Sequence, residues 1–282
     1  MDSPPQFEVI PPVPQQRPPQ PPPKKSIMQT IGAWIAAIGI AAVKLKFLLF
    51  AALKTGLSMF ISIWIYAMFF GWKYAVGIVV LIFVHEMGHV IAAKWLGMPV
   101  SAPLFIPFIG ASIIMKENPR DAWTEALMAY GGPFAGCVGS WICWYLALQF
   151  HINWLLAVAS TSFFINIFNM IPVPPLDGGR ICAAISPWFW IIGLIPLLGS
   201  LYFFHGPSAI IIIVLVGIAA FSRIRQTFFQ PPTPAMQDYY NTHISNRLSM
   251  VLMYLGLLAA LMLGYWDSVQ HLAYVWDQSG RS

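Results

Sequence analysis

Long apolar runs separated by short polar turns dominate this chain from residue 27 onward. A helix needs about 20 residues to cross the hydrocarbon core of a bilayer, and several runs approach or exceed that length. The pattern therefore predicts an all-α fold, a polytopic bundle of about six to seven transmembrane helices. The predicted spans are residues 47–70, 74–96, 125–148, 154–171, 188–204, 208–222 and 248–265.

Two apolar segments contain too many helix-breaking residues to be regular spans. Residues 98–114, MPVSAPLFIPFIGASII, carry three prolines and a glycine, which favours a membrane-associated hairpin or re-entrant segment over a helix. Residues 171–180, IPVPPLDGGR, likewise break a helix while remaining close to membrane depth. Irregular backbone at that depth is tolerated only where it lines a cavity or packs on protein, so we expect both segments to do so.

The ends of the chain and its longest connection are more polar. Residues 1–25 contain 10 of the 24 prolines, which predicts a disordered, Pro-rich tail over 1–26. The short apolar run that follows ends at basic residues and predicts either an interfacial amphipathic helix or an extra span over 27–46. Residues 223–247 are predicted to form a cytoplasmic loop, and 248–282 a C-terminal transmembrane helix and tail.

Composition agrees with a membrane location. Of the 282 residues, 58% are hydrophobic and only 9% are charged, and the mean hydropathy is +0.70. Soluble domains carry about one-quarter charged residues, so this composition indicates an integral membrane protein. The net charge of +5 does not indicate nucleic-acid binding, because the basic residues occur singly in loops and form no basic face.

The distribution of basic residues predicts the orientation. If the chain changes sides at each predicted span, nine basic residues face one side of the membrane and Lys73 faces the other. Loops rich in Lys and Arg stay in the cytoplasm, so the sequence predicts a multi-pass protein of the cell membrane with this side inside. The nine residues are Lys44, Lys46, Lys94, Lys116, Arg120, Arg180, Arg223, Arg225 and Arg247.

One predicted span contains a metal-binding pattern. The stretch LIFVHEMGHVIAAKW, residues 81–95, places His85 and His89 one turn apart on the same face of a helix, where two imidazoles can bind one Zn²⁺. Glu86 follows the first histidine and can take a proton from a water activated by the metal. Ionisable residues are costly within a membrane and are functional by default, so packing alone is a poor explanation of this motif.

A zinc site of this kind needs another protein ligand. The metzincin pattern would place a third histidine at position 95, but that residue is Trp95, which excludes the pattern. Among the ten acidic residues, only Glu86 and Asp177 fall in apolar surroundings at membrane depth. Asp177 is therefore the best candidate for the third ligand.

These motifs resemble those of a known family. HEMGH at 85–89, YGGPFAG at 130–136 and NMIPVPPLDGG at 169–179 are together similar to the site-2 protease family of intramembrane zinc metalloproteases. The resemblance covers about residues 47–222, which it identifies as a catalytic membrane core. It implies a zinc metalloendopeptidase that binds one zinc ion.

The resemblance also implies a role for each site residue. His85, His89 and Asp177 would bind the zinc, Glu86 would be the catalytic acid/base, and Asn169 would help to hold the substrate or the oxyanion. For Asn169, a hydrogen bond between helices is the alternative.

The implied function is hydrolysis of peptide bonds within or near the transmembrane segments of single-span membrane proteins, in the lipid bilayer and towards its cytoplasmic side. A non-catalytic membrane protein that binds a metal or a helix, or a metal transporter, is the alternative. A transport pathway would string polar residues across the membrane, whereas here they converge near one depth.

Overall fold

The structure, a computed structural model, describes residues 27–280 apart from 108–109, 113–114, 116, 204–205 and 232. The tail predicted at 1–26 lies outside the described residues. Helices form nearly all of the regular structure in the described part. The elements are α1 (Ile27–Phe70), α2 (Trp72–Trp95), β1 (Leu104–Ile106), β2 (Gly110–Ser112), α3 (Ala122–Gln149), α4 (Asn153–Asn169), α5 (Asp177–Ile185), α6 (Phe189–Phe203), α7 (Pro207–Phe228), α8 (Pro234–Tyr240) and α9 (Ile244–Gly280).

Long apolar helices confirm the all-α membrane fold. Within the described residues, four helices are long and apolar enough to cross a bilayer, and α6 contains a shorter apolar stretch. The count of about six to seven spans stays a prediction. The four candidate spans are Ala36–Phe70, Trp72–Trp95, Ala209–Phe228 and Ile244–Asp277.

The start of the described chain differs from the prediction. The hydrophobic pattern predicts a segment over 27–46 that is separate from a span at 47–70, but α1 is one uninterrupted helix. The region contains no proline, and lysine is a good helix former, so isolated lysines do not end the helix. The chain divides into two compact units within α1, after Leu49. The unit before that point exposes its described side chains, and the other unit contains the candidate site.

Close backbone contact joins α2 to α3. A Cβ atom added to Gly88 would lie 2.1 Å from the carbonyl oxygen of Gly131, and one added to Gly131 would lie 2.6 Å from that of Gly88. Neither position has room for a side chain, so the two helices approach as closely as small residues permit. This contact brings the histidine-bearing face of α2 against α3.

A buried aromatic core holds α4 and α9 against α3. Phe163 of α4 has no exposed surface and packs with Met250 and Leu261 of α9, which are also fully buried. The ring of Trp141 on α3 meets that of Phe163 edge to face, with centroids 5.3 Å apart. These contacts fix α4, the helix that faces the candidate ligands from the other side.

The Pro-rich segment at 98–114 contains a short antiparallel hairpin of β1 and β2, in which Phe105 pairs with Ala111. Phe105 is buried against α2, and its backbone N–H donates to Ser58 Oγ at 3.2 Å. Thr55 Oγ1 donates to the Pro103 carbonyl at 2.8 Å. The hairpin alternative of the prediction is therefore present and anchored to α1 and α2, while its association with a membrane stays a prediction.

Two connections contain helices that the hydrophobic pattern did not predict. The break predicted at 171–180 is shorter, because α5 already begins at Asp177. The connection predicted at 223–247 contains the end of α7 and the short helix α8. Thr233 Oγ1 accepts a hydrogen bond from a backbone N–H of α8 and so caps its start. Both helices are too short to give a transmembrane signal.

Candidate metal centre

Helix α2 supplies two imidazoles to one point in the protein. The Nε2 atoms of His85 and His89 lie 3.2 Å apart, and 7% and 14% of the two side chains are exposed. The four-residue spacing places both rings on one face, as the sequence predicts. That face points towards α3, α4 and α5, away from the exposed side of the helix.

Asp177 joins the two histidines from the first turn of α5. Its Oδ2 atom lies 3.2 Å from His85 Nε2 and 3.4 Å from His89 Nε2. The structure thus brings together the three residues that the sequence analysis selected as ligands. Among the described residues, they are the one group of three or more His, Cys, Asp or Glu side chains with metal-binding spacing.

Two glycines allow Asp177 to reach this position. A Cβ atom on Gly178 would lie 2.1 Å from the Met170 carbonyl oxygen, and one on Gly179 would lie 2.3 Å from the backbone nitrogen of Pro174. The first turn of α5 therefore packs directly on the irregular stretch that precedes it. The LDGG sequence supplies a carboxylate followed by the small residues that this packing requires.

Hydrogen bonds fix the tautomers of both histidines. Asn166 Nδ2 donates to the Ser162 carbonyl at 2.8 Å, so its Oδ1 accepts from His85 Nδ1, also at 2.8 Å. His89 Nδ1 donates to the Met128 carbonyl at 2.9 Å. Each Nδ1 therefore carries a proton, so each imidazole in its neutral form presents the lone pair of Nε2 to the centre.

The donor set fits a zinc ion. Two imidazole Nε2 atoms and a carboxylate oxygen lie 3.2–3.4 Å from one another. As three acceptors they would repel one another unless a metal ion or a proton lies between them. Tetrahedral zinc with bonds of about 2.0–2.1 Å would separate its ligand atoms by about 3.3–3.4 Å. Three protein ligands also match the usual catalytic zinc site, which keeps a fourth position open.

Further glycines on α3 make room for the site. A Cβ atom on Gly132 would lie 2.1 Å from His89 Nε2, and one on Gly136 would lie 2.2 Å from Asn166 Oδ1. Any side chain at either position would displace a candidate ligand or its hydrogen-bond partner. The YGGPFAG motif thus leaves space for the centre and also allows α3 to approach α2.

Glu86 lies at the same depth as the candidate ligands. Its side chain is buried, with 7% of the residue exposed. Its carboxylate is close enough to interact electrostatically with His85, His89 and Asp177. A buried carboxylate beside three acceptor groups has the position expected of a proton acceptor at this centre.

Asn166 is a site residue that the sequence motifs do not indicate. The motifs point to Asn169, the last residue of α4, whereas the residue that contacts His85 is Asn166, one turn earlier on the same helix. A metal-binding histidine almost always donates its second N–H to a carbonyl, carboxylate or water. A search for that partner could have found Asn166, although the sequence does not show which asparagine reaches the ring. The role of Asn169 stays a prediction.

Contacts outside the centre tie α8 to α5. The Tyr239 hydroxyl donates to Glu125 of α3, and Arg180 Nε lies 3.7 Å from the other oxygen of that carboxylate. Burial and the adjacent carboxylate raise the pKa of Tyr239, so the phenol stays protonated and donates. Trp190 Nε1 donates to the Gly179 carbonyl at 2.8 Å and its ring packs on Tyr240.

Replacing Asn166 with alanine is expected to weaken zinc binding by about 10- to 100-fold, because His85 would lose the group that orients its ring and fixes its tautomer. The measurement is competition for zinc between purified protein and a chelating dye. Asn169→Ala is the matched control on the same helix and should retain the wild-type zinc affinity. Equal zinc affinities for Asn166→Ala and the wild type would contradict the positioning role.

Comparison with known proteins identifies similar sequences. Residues 73–153 and 145–190 match the family described as Peptidase family M50. The chain is 28% identical over 146 residues to a zinc metalloprotease of Methanocaldococcus jannaschii, a match that covers 50% of this chain and 41% of that protein. It is 20% identical over 188 residues to stage IV sporulation protein FB of Bacillus subtilis, covering 58% of this chain and 62% of that protein. The chain therefore spans less than two thirds of the length of each of these relatives.

Proposed function

We propose that the chain is an intramembrane zinc metalloendopeptidase of peptidase family M50 that cleaves membrane-protein substrates, because residues 73–190 match that family. The family match confirms the resemblance predicted from the HEMGH, YGGPFAG and LDGG motifs. One observation carries the proposal. Two imidazole nitrogens of α2, a helix apolar enough to cross a membrane, converge with the carboxylate of Asp177 on α5, and a buried glutamate of α2 lies beside them.

Three residues hold the metal in this proposal. His85, His89 and Asp177 bind one zinc ion, supported by the spacing of their donor atoms and by the tautomers of the two rings. When bound, zinc supplies a Lewis acid that polarises the scissile carbonyl and lowers the pKa of water from about 15.7 to about 7.

Glu86 transfers the proton in the proposed reaction. Its carboxylate accepts a proton from the attacking water, whose oxygen bonds to the carbonyl carbon, and then gives that proton to the leaving amide nitrogen as the C–N bond breaks. Because the carboxylate is buried, few solvent waters compete for it. Asn169 holds the substrate backbone or the developing oxyanion near the end of α4.

The hairpin presents the substrate. A transmembrane helix hides its carbonyl groups in hydrogen bonds, so it must unwind locally before cleavage. Within the described residues, β1 and β2 form a two-stranded sheet. Because α1 contacts the outer edge of β1 through Ser58 and Thr55, the edge of β2 is the open edge that another strand can join. We assign the open edge to an unwound single-span substrate, bound by backbone hydrogen bonds. The anchoring of Phe105 supports this role, because a fixed hairpin can position a strand.

The proposed topology adds α3, α4 and α6 to the four candidate spans and places the site towards the cytoplasm of a cell-membrane protein. His85 lies nine residues before Lys94, which corresponds to about 14 Å along α2. Arg225 near the end of α7 and Arg247 near the start of α9 lie on the same side in this arrangement. The concentration of basic residues supports it through the positive-inside rule.

Removal of zinc should abolish cleavage, and one equivalent of added zinc should restore it, because the proposed chemistry requires the metal. The measurement uses full-length protein in liposomes, a panel of single-span substrates, and a chelator followed by Zn²⁺ or, as control, Mg²⁺. No cleavage by the zinc-loaded protein across a broad panel would favour a non-catalytic binding protein. Zinc flux across the liposome membrane in the absence of cleavage would favour a transporter.

A further inference from the structure

A polar cavity of about 760 Å³ lies beside the candidate centre, outside the group of ligands. Its walls come from α3, α5, α6, α7 and α8, together with the segment between the hairpin and α3. The side chains that matter for its chemistry are Glu125, Arg180, Trp190, Arg223, Gln226 and Tyr239. On the proposed topology this polar cavity opens on the cytoplasmic side.

The charges in the polar cavity do not balance. Glu125 is occupied by the Tyr239 hydroxyl and faces Arg180, and only 14% of its side chain is exposed. Arg223 also lines the cavity, and no carboxylate among the described residues forms an ion pair with it. Two arginines against one carboxylate give this lining a net charge of +1. The surplus charge favours an anionic occupant.

The polar cavity is continuous with the proposed substrate path. Gly179 and Arg180, which line it, follow the candidate ligand Asp177 by two and three residues. Met115 lines it as well and forms an antiparallel bridge with Val100, so this wall continues from the hairpin segment. A substrate chain that is bound along the hairpin and leaves the candidate centre on this side would enter the polar cavity.

Building on the proposed protease function, we propose that the polar cavity binds the cytoplasmic juxtamembrane segment of the substrate, with Arg223 pairing with an acidic side chain there. The guanidinium group presents a planar fork of donors that matches a carboxylate. Gln226 and the aromatic side chains offer hydrogen bonds and contact surface to the rest of such a segment. The inference therefore defines a substrate class, namely single-span proteins with an acidic residue just outside the membrane.

The test reverses the charge of the arginine that lines the polar cavity. As a control, the charge of a nearby arginine outside the polar cavity is reversed in a second variant. Arg223→Glu is compared with Arg225→Glu, because Arg225 lies on the same helix, is exposed and does not line the polar cavity. The substrates share one transmembrane segment and carry Asp, Asn or Lys at the same juxtamembrane positions. KM and kcat are measured for each pair of protein and substrate in a neutral detergent.

Arg223→Glu should raise KM for the Asp substrate by about five- to tenfold and lower it for the Lys substrate, because repulsion replaces an exposed ion pair. The kcat values should stay within about twofold of wild type, since Arg223 takes no part in the proposed chemistry. The difference should shrink at high ionic strength, as expected for an exposed charge. Arg225→Glu should change neither parameter.

Failure of this inference is distinguishable from failure of the protease function. Wild-type cleavage of all three substrates with equal KM would leave the protease function standing and overturn the charge preference. Co-purification of each substrate with Glu86→Gln protein tests the same preference without turnover. Equal recovery of the three substrates would again overturn it. A dependence on anionic lipid that is independent of substrate charge would assign the polar cavity to a lipid headgroup and overturn the inference.

Discussion

Replacement of Glu86 with glutamine should lower the rate of substrate cleavage by about 10²–10⁴-fold or more, while zinc content and fold are retained. Glutamine preserves the size of the side chain and its place on α2, but it cannot accept the proton of the attacking water. The three candidate ligands are untouched, so the purified variant should contain as much zinc per chain as the wild type. Substrate should still bind and should accumulate in complex with the variant.

Glu117→Gln is the matched control, because it makes the same chemical change at an exposed position and should leave cleavage unchanged. The comparison measures zinc per chain and the cleavage of a single-span substrate by wild type and both variants. Equal cleavage by wild type and Glu86→Gln would refute the assigned mechanism. Loss of zinc from Glu86→Gln would instead make Glu86 part of the metal site.

Removing the carboxylate of Asp177 should remove zinc and cleavage together. Asp177→Ala deletes the only negatively charged group of the three candidate ligands and leaves two imidazole nitrogens 3.2 Å apart. Loss of an orienting partner alone costs about 10- to 100-fold in metal affinity, so loss of a ligand should cost about 100-fold or more. Metal analysis of the purified variant and a cleavage assay provide the two measurements.

Asp238→Ala is the control for this variant, because Asp238 lies on α8 with an exposed side chain and outside the candidate ligand group. It should keep stoichiometric zinc and normal cleavage. If Asp177→Ala retained stoichiometric zinc, the third-ligand assignment would be wrong. His85→Ala and His89→Ala should behave like Asp177→Ala, because each removes one of the converging donor atoms.

The candidate ligands could be selected from the sequence for two reasons. One pair is marked by its spacing along a helix, and the third residue is one of few with its charge in such surroundings. The spacing of His85 and His89 is a helical repeat, which a sequence shows directly. Asp177 could be selected by eliminating the other acidic residues, because few acidic residues lie in apolar surroundings. The structure brings all three within metal-binding distance. The long apolar helices were predictable for the same reason, because bilayer thickness imposes a length that can be counted.

The surroundings of the ligands could not be predicted in the same way. Asn166 lies 81 residues from His85, and its contact depends on the rotation of α4 against α2. The sequence contains two asparagines one turn apart and does not show which of them faces the imidazole. The space left by Gly132 for His89 is likewise a property of the packed helices.

Helix ends were the least predictable part of the fold. The lysines at 44 and 46 predict the end of an apolar segment, but a charged residue can end a membrane span without ending a helix, and α1 continues past both. The helices α5 and α8 are short. Burial of its residues sets α5, and the Thr233 cap sets the start of α8, and hydropathy reports neither. The hairpin at 98–114 was predictable as a departure from helix because of its prolines, although its strand register was not.

The contacts between α8 and α5 have a mechanical consequence. Tyr239 connects through Glu125 to Arg180, and Tyr240 connects through Trp190 to the backbone of Gly179. Both paths end within three residues of the carboxylate assigned to the metal. A protein that pulled on the segment between α7 and α9 would therefore exert force on the metal centre through these side chains. Within the described residues, a displacement of this segment would thus reach α5 through side-chain contacts alone.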